Sequence, residues 1–202
     1  MDFVYPPSCM NCDAFMEQHG FLCRKCLELL EPISYARCAV CFRPLYGWDE
    51  RCSYHPEQSD EEPVIFIRTI GNFNDTLRVL IHNLKYNGRQ DIGIYFGHLI
   101  GKLIDRESHF DDYDCVIPVP IHGTRKRERG YNQSDLLARG IKERSGKVFY
   151  TDVVKRNVAT KSQTKLNLQE RNLNVKNIFE VKKPDYIKDK NIIIVDDVVT
   201  TG

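Results

Sequence analysis

The sequence has almost no net charge and no long apolar run. Its 29 Lys and Arg and 28 Asp and Glu leave a formal charge of +1, so no global field draws the chain to nucleic acid or to an anionic membrane. No stretch of 18 apolar residues could form a spanning helix, and the first seven residues lack the pattern of a secretory signal peptide. We therefore expect a cytoplasmic protein without membrane insertion, whose basic partner surface, if it has one, is local.

Cysteine is abundant, but only at one end of the chain. Seven of the eight cysteines lie in the first 52 residues, and reduced cytosolic thiols at such density indicate metal ligands more often than disulfides. They form Cys-x-x-Cys pairs with ten residues between the pairs, and this spacing recurs 29 residues later with a histidine in the last place. The two sets are Cys9, Cys12, Cys23 and Cys26, and Cys38, Cys41, Cys52 and His55.

Two Cys-x-x-Cys turns can close a tetrahedron of thiolates around Zn²⁺. A segment of about 55 residues with few large apolar side chains needs such a metal to fold. Four protein ligands leave no open coordination position, so we expect one or two structural zinc ions. Two alternatives stay open: an interleaved arrangement in which the first pair shares an ion with the third, and reduced or redox-active cysteines without metal.

An acidic segment bounded by prolines, residues 56–63, reads as a linker. It predicts a zinc-binding double Cys-x-x-Cys module at 1–58 and an α/β domain at 64–202. In the second part helices alternate with short apolar strands, which indicates a parallel sheet, and Cys115 is expected in its core. One predicted helix begins at Asn74 or Asp75, and two more cover 90–105 and 134–145. The predicted strands are 64–70, 115–117, 153–154, 178–181 and 192–195.

The last predicted strand leads into an acid pair followed by Val-Val-Thr-Thr-Gly. Carboxylates at the carboxyl edge of an open α/β sheet lie where such sheets bind ligands. Asp196 and Asp197 can accept hydrogen bonds from ribose hydroxyls, while Thr200, Thr201 and Gly202 can present N–H and hydroxyl groups to a phosphate. The pattern is similar to the phosphoribosyl pyrophosphate (PRPP) motif of type I phosphoribosyltransferases. It also fits a Mg²⁺ or phosphate site of another α/β enzyme.

Two further points concern this motif. No G-x-x-x-x-G-K-[ST] sequence is present, so a P-loop ATPase is not supported. The sequence stops at Gly202, inside the motif, and we therefore expect the rest of the phosphate loop, its helix and the closing strands to be missing. A chain cut short in this way is expected to bind PRPP weakly or not at all.

The middle of the chain is locally basic. Residues 122–171 hold 13 Lys or Arg and 5 Asp or Glu, with the densest run at 125–129. Arg125, Arg127 and Arg129 can lie on a mobile loop that closes over the site and stabilises departing pyrophosphate. They can also follow a single-stranded DNA backbone with Tyr131 as a stacking surface. The third interpretation is a solvated loop without a partner.

Several motifs in one order resemble ComF-type competence proteins across essentially the whole chain. They include the cysteine module, Leu84-Lys85-Tyr86, Pro118-Val119-Pro120 and Arg127-x-Arg129-Gly130-Tyr131-Asn132-Gln133. A spaced block follows, formed by Arg156, Thr160, Gln163, Leu168, Arg171, Asn174 and Phe179, and the acid-pair motif ends the series. The resemblance implies a type I phosphoribosyltransferase-like parallel α/β domain, C-terminally incomplete here, behind the zinc module. It also implies a role in natural transformation, handling incoming single-stranded DNA beside a DNA-uptake helicase and a membrane channel.

Two classes of function follow from these residues. In the first, the protein is an enzyme that transfers phosphoribose from Mg²⁺–PRPP, with Asp196 and Asp197 on the ribose, the Thr-Thr-Gly turn on the 5′-phosphate and the three arginines assisting catalysis. In the second, it is a DNA-binding adaptor with an inherited transferase fold. Nucleobase salvage is the alternative enzyme, weakened because salvage needs no zinc module. His82, His98, His109 and His122 show no ligand spacing, although His122 directly follows the Pro-Val-Pro turn.

Overall fold

The computed structural model describes residues 7–17, 20–30, 32–37, 44–45, 65–158 and 178–199. The α-helices are α1 (Arg24–Glu28), α2 (Asp75–Tyr86), α3 (Gln90–Ile104), α4 (Gly123–Arg129) and α5 (Gln133–Ser145). The strands are β1 (Ile33–Arg37), β2 (Pro44–Leu45), β3 (Ile65–Thr69), β4 (Cys115–Pro118), β5 (Val148–Phe149), β6 (Val154–Arg156), β7 (Phe179–Val181) and β8 (Ile192–Val195). Outside the described residues lie the linker and the predicted site residues Cys38, Cys41, Cys52, His55, Thr200, Thr201 and Gly202.

A parallel three-stranded sheet forms the centre of the α/β region, in the order β5-β4-β8. Strand β4 pairs with β8 from Cys115–Ile192 to Pro118–Val195, so both strands reach the same sheet edge. Every residue of β4 is buried, as is typical of a central parallel strand covered on both faces. The predicted parallel α/β fold is confirmed here, and Cys115 is the expected core residue, 1% exposed.

Helix α2 follows the predicted apolar stripe. Leu77, Leu80, Ile81 and Leu84 are all buried, as their spacing of three and four residues on one helix face requires. The side chain of Asn74 accepts a hydrogen bond from the backbone N–H of Leu77 and so caps the helix start. Because Leu84 is buried, the last turn of α2 is also packed against the core.

Helices α3 and α5 cross with their backbones in contact. A Cβ added to Gly97 would overlap the Leu137 carbonyl oxygen and lie 2.8 Å from the Gly140 Cα. The same holds in reverse at Gly140, where a Cβ would overlap the carbonyl oxygen of Ile94. Only glycine on both helices permits this approach, which seats the start of α5 against the carboxyl edge of the sheet.

The N-terminal part and the α/β region share one core. Met16, Leu22 and Leu30 belong to the same buried cluster as Leu77 and Leu80 of α2. Strand β1 pairs antiparallel with β3, and β2 pairs with β1. These pairs join residues on either side of the predicted linker, and the domain boundary itself stays a prediction.

The strand assignments differ from the prediction in several places. The strand predicted at 64–70 is β3, which pairs antiparallel with the unpredicted β1 and lies outside the parallel sheet. The strands predicted at 153–154 and 178–181 are β6 and β7, an antiparallel pair separate from the parallel sheet. Strand β5, which pairs parallel with β4, was not predicted because Val148 and Phe149 are too short a run to give a periodic signal. Within the described ranges, no helix is long and apolar enough to cross a membrane.

Candidate functional site

The first cysteine set converges on one point. The sulfur atoms of Cys9, Cys12, Cys23 and Cys26 all lie within 4.8 Å of one another. The Sγ atoms of Cys12 and Cys23 are 3.7 Å apart, close to the roughly 3.8 Å between two thiolates on a tetrahedral zinc with Zn–S bonds of about 2.3 Å. Both Cys-x-x-Cys pairs of the first set therefore share one potential metal-binding centre, which argues against the interleaved arrangement.

Local hydrogen bonds prepare this cluster for a cation. Burial opposes ionisation of Cys9, but bonds from the backbone N–H groups of Cys23, Asn11 and Cys12 outweigh it and lower the pKa of Cys9 to about 6. The Asn11 side chain donates to Cys26 Sγ at 3.4 Å. That bond favours the thiolate, yet burial and the three neighbouring sulfurs raise the pKa of Cys26 to about 12. Four thiolates this close need a shared cation, and the donor set and spacing fit structural Zn²⁺.

The acid pair follows β8 at the carboxyl edge of the parallel sheet. Asp196 Oδ1 accepts hydrogen bonds from Ser134 Oγ at 2.9 Å and from the backbone N–H of Asp197 at 2.8 Å. Asp197 Oδ2 lies 2.6 Å from the ammonium of Lys85, and these two side chains are only 14% and 22% exposed. The two carboxylates are thus held by different means, the first by neutral donors and the second by a cation.

The environment of Asp196 disfavours its charge. Asp196 is exposed to solvent, yet the protein atoms close to its carboxyl raise its pKa, and the carboxylate of Asp197 raises it further. The bonds from Asp197 N–H and Ser134 and the ammonium of Lys85 act in the opposite direction. The balance leaves a carboxyl that takes up a proton more readily than an ordinary aspartate.

Sequence reasoning assigned no role to Lys85 or Ser134. Lys85 stands at the end of α2 and Ser134 in the first turn of α5, 62 residues before the carboxylate that it binds. Leu84-Lys85-Tyr86 was noted only as a triplet resembling ComF-type proteins. The contact between these segments depends on tertiary packing and leaves no local pattern in the sequence.

The predicted mobile loop at Arg125, Arg127 and Arg129 is wrong, because these residues form α4. The helix starts at His122, whose Nδ1 accepts from the backbone N–H of Thr124 at 3.3 Å, and ends at Gly130 with φ 83°. His122 is therefore a helix cap.

The basic residues of α4 divide into two groups. Arg125, Lys126 and Arg127 are exposed, whereas Arg129 is half-buried. Arg129 donates to Gln133 Oε1 at 2.5 Å and lies over the Tyr86 ring, 5.6 Å from its centroid. Arg129 thus contributes to structure. Arg125 pairs with Glu128 at 3.3 Å and Arg127 donates to Thr124 Oγ1 at 3.5 Å, and both contacts are exposed, so a ligand can replace them.

Tyr131 is anchored inward. Its hydroxyl donates a hydrogen bond to the carbonyl oxygen of Leu84, and its ring packs against the core. The predicted stacking role for this ring is not supported by its placement. The last turn of α2 consequently contacts both sides of the site, with Lys85 on the acid pair and Leu84 and Tyr86 on the residues around the end of α4.

Comparisons with known proteins agree with this layout. A double zinc ribbon domain family matches residues 1–55. DNA utilization protein YhgH of Salmonella typhimurium is 28% identical over 196 residues, which are 90% of this chain and 86% of that protein. Competence protein F of Haemophilus influenzae is 27% identical over 96% of this chain and 85% of that protein. Competence protein ComFC of Bacillus subtilis is 26% identical over 90% of this chain and 73% of that protein. Matches to other YhgH proteins span about 60% of their length.

Fold and site together define a zinc-ribbon protein with a phosphoribosyltransferase-like α/β domain that carries an acid pair after a parallel strand. The order of motifs and the matches over 90% or more of this chain go further than this class. The chain belongs to the ComF/ComFC family.

Proposed function

We propose that this chain acts in the cytoplasm in DNA uptake during natural transformation, and that it binds PRPP at the acid pair. Relatives named competence protein and DNA utilization protein support the cellular role. The observation that carries the binding proposal is the placement of Asp196 and Asp197 at the carboxyl edge of β8, held by Ser134 and Lys85. A DNA-uptake helicase and a membrane DNA channel are the neighbours that this role requires.

The chemistry of PRPP fits this edge of the sheet. Carboxylate oxygens accept hydrogen bonds from the two ribose hydroxyls, and the Thr-Thr-Gly sequence after Val199 supplies donors for the 5′-phosphate. Mg²⁺ enters with the pyrophosphate oxygens and neutralises their charge. The backbone N–H of Val119, which follows β4, donates to Val195 O at 2.9 Å, so the segment leading to α4 starts at the same edge.

If transfer of phosphoribose occurs, α4 is the element that assists it. The exposed guanidinium groups of Arg125 and Arg127 can stabilise the charge that develops on departing pyrophosphate. The acceptor of the phosphoribosyl group is then a further molecule at this edge. Nucleobase salvage remains the alternative enzymatic function, and it predicts pyrophosphate release from PRPP when a purine or pyrimidine base is added.

Calorimetric titration of Mg²⁺–PRPP into the zinc-loaded chain tests the binding proposal. We expect weak but measurable binding by the wild type and its loss in the Asp196→Asn/Asp197→Asn variant. The matched control is Asp185→Asn/Asp189→Asn, which removes two exposed carboxylates elsewhere on the surface and is expected to bind normally. Absence of binding to the wild type, or equal binding by the acid-pair variant, would contradict the proposal.

We further propose that the exposed face of α4 binds single-stranded DNA. The observation that favours this function is the group of three consecutive exposed cations, Arg125, Lys126 and Arg127, in a chain of nearly neutral net charge. Cations along a helix neutralise backbone phosphates without reading sequence, so affinity should fall steeply with salt. This surface is compatible with either an enzyme or an adaptor.

Fluorescence anisotropy with a labelled oligo-dT at several salt concentrations tests the DNA proposal. We expect Arg125→Ala/Arg127→Ala to weaken binding several-fold and to reduce the salt slope by about one to two. The control Arg78→Ala/Lys102→Ala removes the same charge from exposed positions on α2 and α3. Equal losses in both variants would show a general charge effect and reject α4 as the DNA site.

A further inference from the structure

Among the residues that the structure describes, Lys85 forms the closest charged contact of the acid pair. Its Nζ lies 2.6 Å from Asp197 Oδ2, with both side chains largely shielded from water. An ion pair this short and this shielded is electrostatically stronger than one on an open surface. Neither the predicted PRPP chemistry nor the arginine-rich segment requires such a cation.

The position of Lys85 is fixed by its helix. Leu84, the preceding residue, is fully buried, and its carbonyl oxygen accepts a hydrogen bond from the Tyr131 hydroxyl. On the other side, the Tyr86 ring lies under the guanidinium of Arg129. The last turn of α2 is therefore held on both sides of Lys85, and the ammonium stays at the acid pair.

The hydrogen bonds leave one oxygen of each carboxylate open. Asp196 Oδ1 accepts from two donors, and Asp197 Oδ2 is taken by Lys85. Within the described part of the chain, no hydrogen bond reaches Asp196 Oδ2 or Asp197 Oδ1. These two open oxygens are the acceptors that the acid pair offers to the ribose hydroxyls of the proposed function.

We propose that Lys85 is the permanent counter-ion of the acid pair and that it keeps divalent cations off Asp197, so that the two open oxygens stay free for the ribose diol of the proposed PRPP function. A divalent cation on Asp197 would lie within a few ångströms of the ammonium, where like charges repel strongly. A diol brings neutral donors and meets no such repulsion. The diol part rests on the proposed PRPP function, whereas the exclusion of metal stands on the Lys85 contact alone.

Titration with Mn²⁺ and no sugar phosphate tests the exclusion of metal. Mn²⁺ prefers the same carboxylate ligands as Mg²⁺, and its free concentration can be followed by electron paramagnetic resonance. In the zinc-loaded chain we expect Lys85→Met to bind one Mn²⁺ about tenfold or more tightly than the wild type. Lys85→Arg keeps the positive charge and is expected to behave as the wild type.

Two additional variants keep this result interpretable. Lys85→Met/Asp197→Asn is expected to lose the gained Mn²⁺ site, which locates that site at the acid pair. Lys85→Gln replaces the charge with a polar group and covers the case in which Lys85→Met does not fold, as judged by its urea midpoint. The proposal is overturned if folded, uncharged variants gain no Mn²⁺ binding, or if the wild type already binds Mn²⁺ through Asp197.

Ribose 5-phosphate and 2-deoxyribose 5-phosphate test the diol part separately. Both carry the 5′-phosphate, and only the first carries the second hydroxyl. We expect wild type to bind ribose 5-phosphate several-fold more tightly and Lys85→Met to lose this preference in Mg²⁺ buffer. Equal binding of the two sugars rejects the diol assignment, and failure of Mg²⁺–PRPP binding rejects the proposed function, while the Mn²⁺ result still decides the role of Lys85.

Discussion

The cysteine cluster and the acid-pair site are assembled in opposite ways. The four sulfurs come from one stretch of 18 residues, Cys9 to Cys26, and meet within 4.8 Å. The acid-pair site instead joins α2, α5 and the end of β8, with Ser134 and Asp196 separated by 62 residues. The cluster therefore depends on a local turn geometry and a metal ion, and the acid-pair site depends on the packing of the whole α/β region.

Removal of zinc should produce the largest difference in stability between the cysteine cluster and the acid-pair site. Binding of a structural zinc is worth about 10–16 kcal/mol in small zinc domains, so its loss should unfold the segment around Cys9–Cys26. Hydrogen exchange before and after chelation should show loss of protection there, while β4 and β8 stay protected. Because Met16, Leu22 and Leu30 share the core of α2, the α/β region should also lose some stability.

Single cysteine variants provide the control for chelation. Cys26→Ser should reproduce the loss of protection and remove one zinc per chain. Cys115→Ala removes a cysteine that is equally buried but lies in β4, so zinc content should not change. Unchanged exchange of residues 9–26 in zinc-free protein would contradict a structural role for the metal.

A larger side chain where α3 crosses α5 should disturb the acid-pair site and leave the cysteine cluster intact. A Cβ at Gly97 has no room beside Leu137 and Gly140, so Gly97→Ala should lower the free energy of unfolding by about 3 kcal/mol. At Gly20 an added Cβ meets no atom within 4 Å, and Gly20→Ala should change the urea midpoint little. PRPP affinity should fall only in Gly97→Ala, since Ser134 moves with α5. Equal urea midpoints would show that the crossing adapts.

The same contrast explains what the sequence could predict. The Cys-x-x-Cys pairs, the stripe of Leu77, Leu80 and Leu84, and strand β8 were all found from spacing within one segment. The contact of Lys85 with Asp197 and of Ser134 with Asp196 could not be found, because it needs the positions of three elements at once. The run at 125–129 was taken for a loop because its charges mask a short helix capped by His122 and Gly130.

Two asparagine residues cap helices in the two regions, and removal of either cap should have a smaller effect on stability. Asn132 caps α5 and donates to Val119 O at 3.0 Å beside the acid pair, whereas Asn74 caps α2 and donates to Leu29 O at 3.1 Å in the cysteine segment. Loss of either cap should cost about 1–2 kcal/mol in urea unfolding. Asn132→Ala should also weaken PRPP binding, and Asn74→Ala should instead raise exchange around Leu29. The reverse assignment of these two effects would contradict the separation of the regions.

The smallest effect concerns the charge of Asp196. Because the protein atoms around Asp196 and the carboxylate of Asp197 raise its pKa in the folded chain, the ionised form is penalised at neutral pH, and the penalty is lost as pH falls from that raised pKa to the ordinary value of an aspartate. Asp196→Asn should therefore be slightly more stable than wild type at neutral pH, with a difference that shrinks in acid. Asp152→Asn is the control of opposite sign, since the hydrogen bond from Lys183 lowers the pKa of Asp152 and stabilises its charged form at neutral pH. Loss of zinc in acid affects wild type and variants alike. The difference in urea midpoint between variant and wild type at each pH therefore reports the carboxyl group alone. If Asp196→Asn remained more stable than wild type in acid, the penalised charge of Asp196 would not be the cause.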